Sequence, residues 1–377
     1  MGSGRRRRHA HRFGPLLVAV AVALALVRVA GADPASDEVR LGARIAKEIE
    51  ARYGVVTDPA QVERITRVGE IVARAVDRRD LTYRFKILKI NGVNALSLPG
   101  GWVYVTEGMM KFVRTDDELA AVLAHELAHI AHRHYYIQEE RSRQMLPALI
   151  LGTALSVLAH SAAPLAGAQI LTEGALAAYQ RDLEKDADLT AVTYLTHTPY
   201  SPVAMLTVME HLAEADRLSA HPDPGIYQDH PEPEERVAYL REDLIRLGIP
   251  IVRRPAEGYL RISVEPPAPA PGQPVTIRVD GHPVVTLGAT VNGDPPAGRA
   301  RAMVSRLDAF FNTDPAPYEV RAVHLLDRWS VIGGEQVLFD VTPEDAAYAK
   351  TTPAALAEAV RARLADVIAA APYNRKF

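Results

Sequence analysis

The chain has 377 residues, with 43 Lys plus Arg against 46 Asp plus Glu and no cysteine. Its length exceeds the size at which one hydrophobic core stops growing, which predicts two domains; 48% hydrophobic and 24% charged residues exclude a low-complexity or polytopic membrane chain. Absent cysteine rules out a disulfide framework, a thiolate zinc site and a cysteine nucleophile, and a formal net charge of -3 argues against a nucleic-acid binder, which needs a basic footprint.

That charge is unevenly placed. Arg5, Arg6, Arg7, Arg8 and Arg12 precede an apolar run from Phe13 to Val27, followed by Arg28 and Ala30-Gly31-Ala32. A basic segment, a short apolar run and a small-residue cleavage site make residues 1–32 a secretory signal peptide. The run is shorter than the roughly 20 apolar residues that span a bilayer comfortably; an uncleaved N-terminal anchor is the alternative reading. Cleavage after Ala32 removes six arginines and no acid, leaving 37 basic against 46 acidic residues, a net charge of -9. The mature protein is expected to be acidic and exported.

Apolar recurrence at Val39, Leu41, Ile45 and Ile49 predicts a helix ended by Gly54. Thr57-Asp58-Pro59 opens a second, with Val62, Ile65, Val68, Ile71 and Val72 on one side. Alternation from Tyr83 to Ile90 predicts a strand, Asn91-Gly92 a turn, and Gly101 to Thr106 a second strand with Trp102, Tyr104 and Thr106 on one face. One long helix is expected from Thr115 to about Tyr135, with Thr115 and Glu118 spaced as a capping box. Met145 to Ala178 carries Glu173 as its only charge and reads either as a buried or flap-like helix or as a hairpin facing a membrane surface or substrate. Further helices are expected over Glu173–Leu195, Pro202–Leu218 and Glu232–Leu247. A metal-binding domain would thus cover 36–248, a Pro-rich linker 249–274, and a smaller α+β accessory domain 275–377.

The chemistry lies in Ala124-His125-Glu126-Leu127-Ala128-His129. Helix positions four apart share a face, roughly 6 Å from one another, so His125 and His129 can hold one zinc ion while Glu126 addresses the water completing its shell. His132 lies about 10 Å further along a regular helix axis than His125 and cannot share that ion. A carboxylate from a later helix is the alternative third ligand, and the run Gln180-Arg181-Asp182-Leu183-Glu184-Lys185-Asp186-Ala187-Asp188 supplies one. Glu184 and Asp188 are again four apart; one can bind the metal while the other accepts the outer N–H of a ligating histidine. A solvated charged face is the plainer reading of the same run.

Asn94-Ala95, Pro99-Gly100-Gly101, Asp117-Glu118-Leu119-Ala120, the His125–His129 motif, Arg133-His134, Glu184 to Asp188 and His230-Pro231 stand in one order. In this the chain resembles the gluzincin peptidases that include HtpX, the CAAX prenyl proteases and the soluble periplasmic BepA-like enzymes, over roughly 36–247. The resemblance implies a zincin-type, mainly helical α+β domain with a small sheet. It also implies one Zn2+ held by His125, His129 and Glu184, Glu126 as general base, and Asp188 as partner of a ligating histidine. Gln180 departs from the family's usual serine without touching a ligand. The resemblance further implies that the strand bearing Gly101, Trp102, Val103 and Tyr104 borders the cleft, where an extended polypeptide could add to it; core packing is the plainer reading of Trp102 and Tyr104. His230 is the candidate donor to the reacting carbonyl oxygen, with a fourth metal ligand or an exposed loop residue as the other readings.

The leading expectation is a zinc metalloendopeptidase acting in the periplasm on unfolded or misassembled exported polypeptides. A latent protease serving as chaperone or assembly factor, and a membrane-tethered scaffold, are the competing ones.

Overall fold

The computed structural model describes residues 34–144, 180–218 and 233–371. The segments read as signal peptide, as the nearly uncharged stretch from Met145, and as the loop holding His230 lie outside the described residues.

The first helix, α1 (Pro34–Tyr53), buries Ala46 and Ile49 against Leu98 and Tyr104 of the sheet. Helix α2 (Pro59–Ala73) starts where Asp58 accepts from the amide of Gln61 at 3.0 Å, and buries the expected stripe of Ile65, Val68 and Val72. Three strands follow: β1 (Arg84–Leu88), β2 (Ala95–Leu98) and β3 (Trp102–Thr106), in spatial order β1-β3-β2. β1 runs parallel to β3, so Asn91-Gly92 does not close a hairpin between them. The hairpin turn is Pro99-Gly100-Gly101, between the antiparallel β2 and β3. There Gly101 has φ +95°, and a Cβ on it would sit 2.5 Å from the Thr82 carbonyl oxygen. Alternation hides β2, which is too short to announce itself.

A short helix α3 (Glu107–Phe112) leads to α4 (Asp116–Ala131), whose residues are nearly all buried. Its start is capped by Thr115 accepting from Glu118 N, with Arg64 and Arg67 each 2.7 Å from Asp116 in the first turn. At its other end Arg78 donates to the Ile130 carbonyl at 3.1 Å, a cation placed where the helix dipole favours one. The expected long helix is broken here: Arg133 adopts φ +57°, and a new helix, α5, covers 134–144. Residues 180–195 (α6), α7 (Ala204–Leu218) and α8 (Pro233–Arg246) complete a helical layer whose core joins α2, α4 and the Val103–Val105 face of β3.

The stretch read as linker contains α9 (Arg253–Glu257) and β4 (Ile262–Glu265); β4 pairs with β5 (Val275–Val279), which pairs with β6 (His282–Leu287). A second antiparallel sheet holds β7 (Val320–Leu325), β8 (Arg328–Gly333) and β9 (Gln336–Val341). Helices α10 (Pro296–Phe311) and α12 (Pro353–Ala370), with the short α11 (Pro343–Tyr348), fill a separate core with both sheets. The chain is thus α+β in two units, and buried Arg254 bridges them through Asn312 at 2.8 Å and Asp308. Among the described residues no helix is long and apolar enough to cross a membrane.

Candidate metal centre

α4 runs beside α6, so the one-face spacing of His125 and His129 meets the one-face spacing of Glu184 and Asp188. The two Nε2 atoms lie 3.0 Å apart, and each is 3.4 Å from a different oxygen of Glu184. Two imidazole nitrogens and a carboxylate converging within 4.8 Å form a donor set suited to a zinc-type cation. All are shielded from water: His125 and Glu184 are buried, and His129 is 14% exposed at its side chain.

The support behind these atoms is as specific as the donors. Asp188 Oδ1 stands 2.8 Å from His125 Nδ1, so that ring must present Nε2 to the centre. Asp188 in turn takes both arms of Arg236, Nε at 2.8 Å and Nη2 at 2.6 Å, and the hydroxyl of Tyr239. A third guanidinium nitrogen, Nη1, reaches Glu184 at 3.2 Å. Burial alone would raise the Asp188 carboxyl, but Arg236 and His125 outweigh it and hold it down at about 2. Burial would likewise lower the His125 imidazole, yet Asp188 and Glu184 raise it to about 9. His129, penalised first by its own burial, is lowered. With His125 protonated, the cluster of Glu184, Asp188 and Arg236 is charge-balanced, and a divalent cation would replace that proton.

Glu126 is 2% exposed and faces a cavity with His125, Ala95 of β2 and Met205, Val208 and Met209 of α7. The space open to a water centre there is about 20 Å³, room for about one molecule.

The sequence-predicted residues are thus sorted. His125, Glu126, His129, Glu184 and Asp188 come together. Gly101, Trp102, Val103 and Tyr104 do not border the centre through a free edge: β3 is the middle strand and both its sides are taken. Trp102 and Tyr104 stack on each other and turn to the α1 side. The strand alongside α4 with an unpaired outer edge, among the described residues, is β2. His230 lies outside the described residues. Arg236 and Tyr239 were missed. The available signal was an arginine on the buried stripe of α8, in helical step with Leu240 and Leu244.

Residues 59–244 match the model of peptidase family M48, and residues 274–371 match a domain of unknown function, DUF8459. The chain is 26% identical over 230 residues to the "Beta-barrel assembly-enhancing protease" of Escherichia coli (strain K12), covering 59% of this chain and 47% of that protein. It is 29% identical over 221 residues to the "Putative beta-barrel assembly-enhancing protease" of Vibrio cholerae, covering 57% and 46%. With the "Mitochondrial metalloendopeptidase OMA1" of Schizosaccharomyces pombe it shares 26% over 208 residues, covering 54% and 60%. The chain spans about half the length of the assembly-enhancing relatives it matches. Residues 59–244 thus resemble the peptidases of family M48, and within them His125, His129 and Glu184 converge as a group that could hold a metal ion.

Proposed function

We propose that the M48 domain is a zinc-dependent endopeptidase that cleaves unfolded or misassembled exported polypeptides in the periplasm. The observation carrying this reading is the convergence of His125, His129 and Glu184 beside Glu126, with Asp188 and Arg236 fixing the donors from behind. His125, His129 and Glu184 would hold a zinc ion, which would supply Lewis acidity and a bound water acidic enough to react near neutral pH. Glu126 takes the proton of the attacking water and returns it to the leaving amine. His230, ahead of α8, is the proposed donor to the carbonyl oxygen.

Substrate would lie along β2. Thr106 N donates to Asn94 O at 3.0 Å, so alternation turns Asn94, Leu96 and Leu98 to β3 and Ala95 and Ser97 outward. Asn94 Oδ1 takes the Ala95 amide at 2.8 Å, leaving the Ala95 carbonyl and both main-chain groups of Ser97 for an added strand. Main-chain recognition tolerates varied sequence, and Met205, Val208 and Met209 favour an apolar side chain next to Glu126. The bacterial relatives are named for β-barrel assembly, which supports misassembled exported proteins as substrates. The export pattern of residues 1–32 supports the compartment. The accessory domain would select or hold partners, and the nearly uncharged segment from Met145 to Ala178 would touch substrate or a membrane surface.

Casein cleavage by the full chain, with zinc analysis, tests the reading. Glu126→Gln should keep zinc and lose about 10²- to 10⁴-fold in rate; Glu184→Ala should lose zinc while Asp182→Ala keeps it. Zinc bound by a parent chain that cleaves nothing would instead favour a latent protease acting as chaperone or assembly factor, a reading the narrow cavity also supports.

A further inference from the structure

The two histidines of the centre are supported differently. Behind His125 stands a carboxylate, Asp188; behind His129 stands another imidazole, with His134 Nδ1 3.0 Å from His129 Nδ1. Two ring nitrogens at that distance share one proton, so one must donate and the other accept. On the far side His134 Nε2 is 3.1 Å from Asp186 Oδ2, and His132 Nδ1 reaches the same oxygen.

We propose that His134 is a positioning residue for the metal centre: it accepts a hydrogen bond from His129 Nδ1–H and donates Nε2–H to Asp186, fixing the His129 tautomer whose Nε2 lone pair faces the metal. The inference rests on His125, His129 and Glu184 being the ligands. Given that, every proton in the chain is assigned. His129 ligates through Nε2, so Nδ1 carries its proton; His134 Nδ1 is therefore bare, and its proton sits on Nε2, opposite a carboxylate. The reverse polarity would set a lone pair of His134 against Asp186 and place the His129 proton on Nε2, 3.0 Å from His125 Nε2.

The backbone is shaped to deliver this contact. α4 ends at Ala131, and Arg133 takes the left-handed φ of +57° that residues other than glycine rarely adopt. That turn brings His134 back beneath the end of α4, where it is 4% exposed although Arg133 beside it is open to solvent. Arg133 is held toward Glu38 at 3.8 Å, itself paired with Arg78.

His132, His134 and Asp186 also lie within 4.8 Å of one another and could be taken for a second cation site. Ligation there would strip the proton from His134 Nε2 and return it to Nδ1, setting N–H against N–H at His129. The first site therefore disfavours the second.

The decisive measurement uses the full zinc-loaded chain labelled with 15N-histidine. Nitrogen spectra should show protonated Nδ1 on His129, bare Nδ1 on His134 and protonated Nε2 on His134. Chelator competition should show zinc held about 10- to 100-fold more weakly by His134→Leu. His134→Asn, whose Oδ1 takes the place of Nδ1 as acceptor, should recover most of that loss. A proton on His134 Nδ1, or parent-like zinc affinity in His134→Leu, overturns the proposal. So do two zinc ions per chain with the second lost in His132→Ala. If His134→Leu does not fold, the parent spectra alone decide. A parent chain that binds no zinc overturns the metallopeptidase reading itself, and the parent titration separates that failure from loss in the variant.

Discussion

Replacing Arg236 with methionine tests whether the centre is held by charge balance. The side chain is 4% exposed and makes three charged contacts: two to Asp188, at 2.8 and 2.6 Å, and one to Glu184 at 3.2 Å. Methionine preserves most of the volume and removes the cation from two buried carboxylates. Breaking a buried ion pair by removing one partner costs about 3–5 kcal/mol. Tyr239 and His125 continue to hold Asp188, which places the expected loss at the low end, about 3 kcal/mol for the chelator-treated protein. Zinc held by Glu184 and His125 would place positive charge near both carboxylates, so the loss should be smaller with metal bound. Urea unfolding, with and without chelator, reads both losses. Arg236→Lys keeps the charge but not the two-armed geometry and should fall between parent and Arg236→Met. A loss below about 1 kcal/mol in chelator, or the same loss with and without zinc, would refute the reasoning.

Thr115 caps the metal-binding helix and also donates to the Ala256 carbonyl, so Thr115→Ala should cost about 1–2 kcal/mol in urea unfolding. Gly42 of α1 lies so close to Pro99 that a Cβ would meet its carbonyl oxygen at 1.7 Å; Gly42→Ala should cost about 1–3 kcal/mol and lower the melting temperature. For Glu50, burial raises the carboxyl, but Lys86 and Tyr104, each 2.7 Å away, outweigh it and leave it lowered. Its contribution is therefore complete above the unfolded carboxylate value and disappears as pH falls through the folded one. Glu50→Gln should be less stable than the parent by under about 1 kcal/mol at pH 7, with the gap closing as pH falls below the ordinary carboxylate range, as read by unfolding across acidic pH.

Local spacing made much of the centre legible. His125 with His129, and Glu184 with Asp188, each need only a helix to share a face. The stripes of α1 and α2 and the break at Gly54 were readable for the same reason. What misled was geometry set by partners. Asn91-Gly92 has the composition of a hairpin turn, yet β1 pairs parallel to β3 because β2, four residues long, inserts at the far side. The Gly101–Tyr104 strand consequently became the middle of the sheet and lost its edge. The helix expected to run on to Tyr135 breaks at Arg133, because Glu38 and the Asp186 side hold the chain in a conformation that its own residue type disfavours.

By itself the sequence determined which side chains can reach a metal, since an i, i+4 pair is fixed by helix pitch and needs no tertiary information. Spacing left open which of Glu184 and Asp188 faces the two histidines, a choice only the resemblance implied; the tertiary structure brings Glu184 to them and pairs Arg236 with both carboxylates from a helix some 50 residues further on. It also decided that β2 carries the open edge, and that His134 stands behind His129. These depend on how α4, α6, α8 and the sheet pack, and packing is settled by the burial of residues far apart in the chain, which no local pattern records.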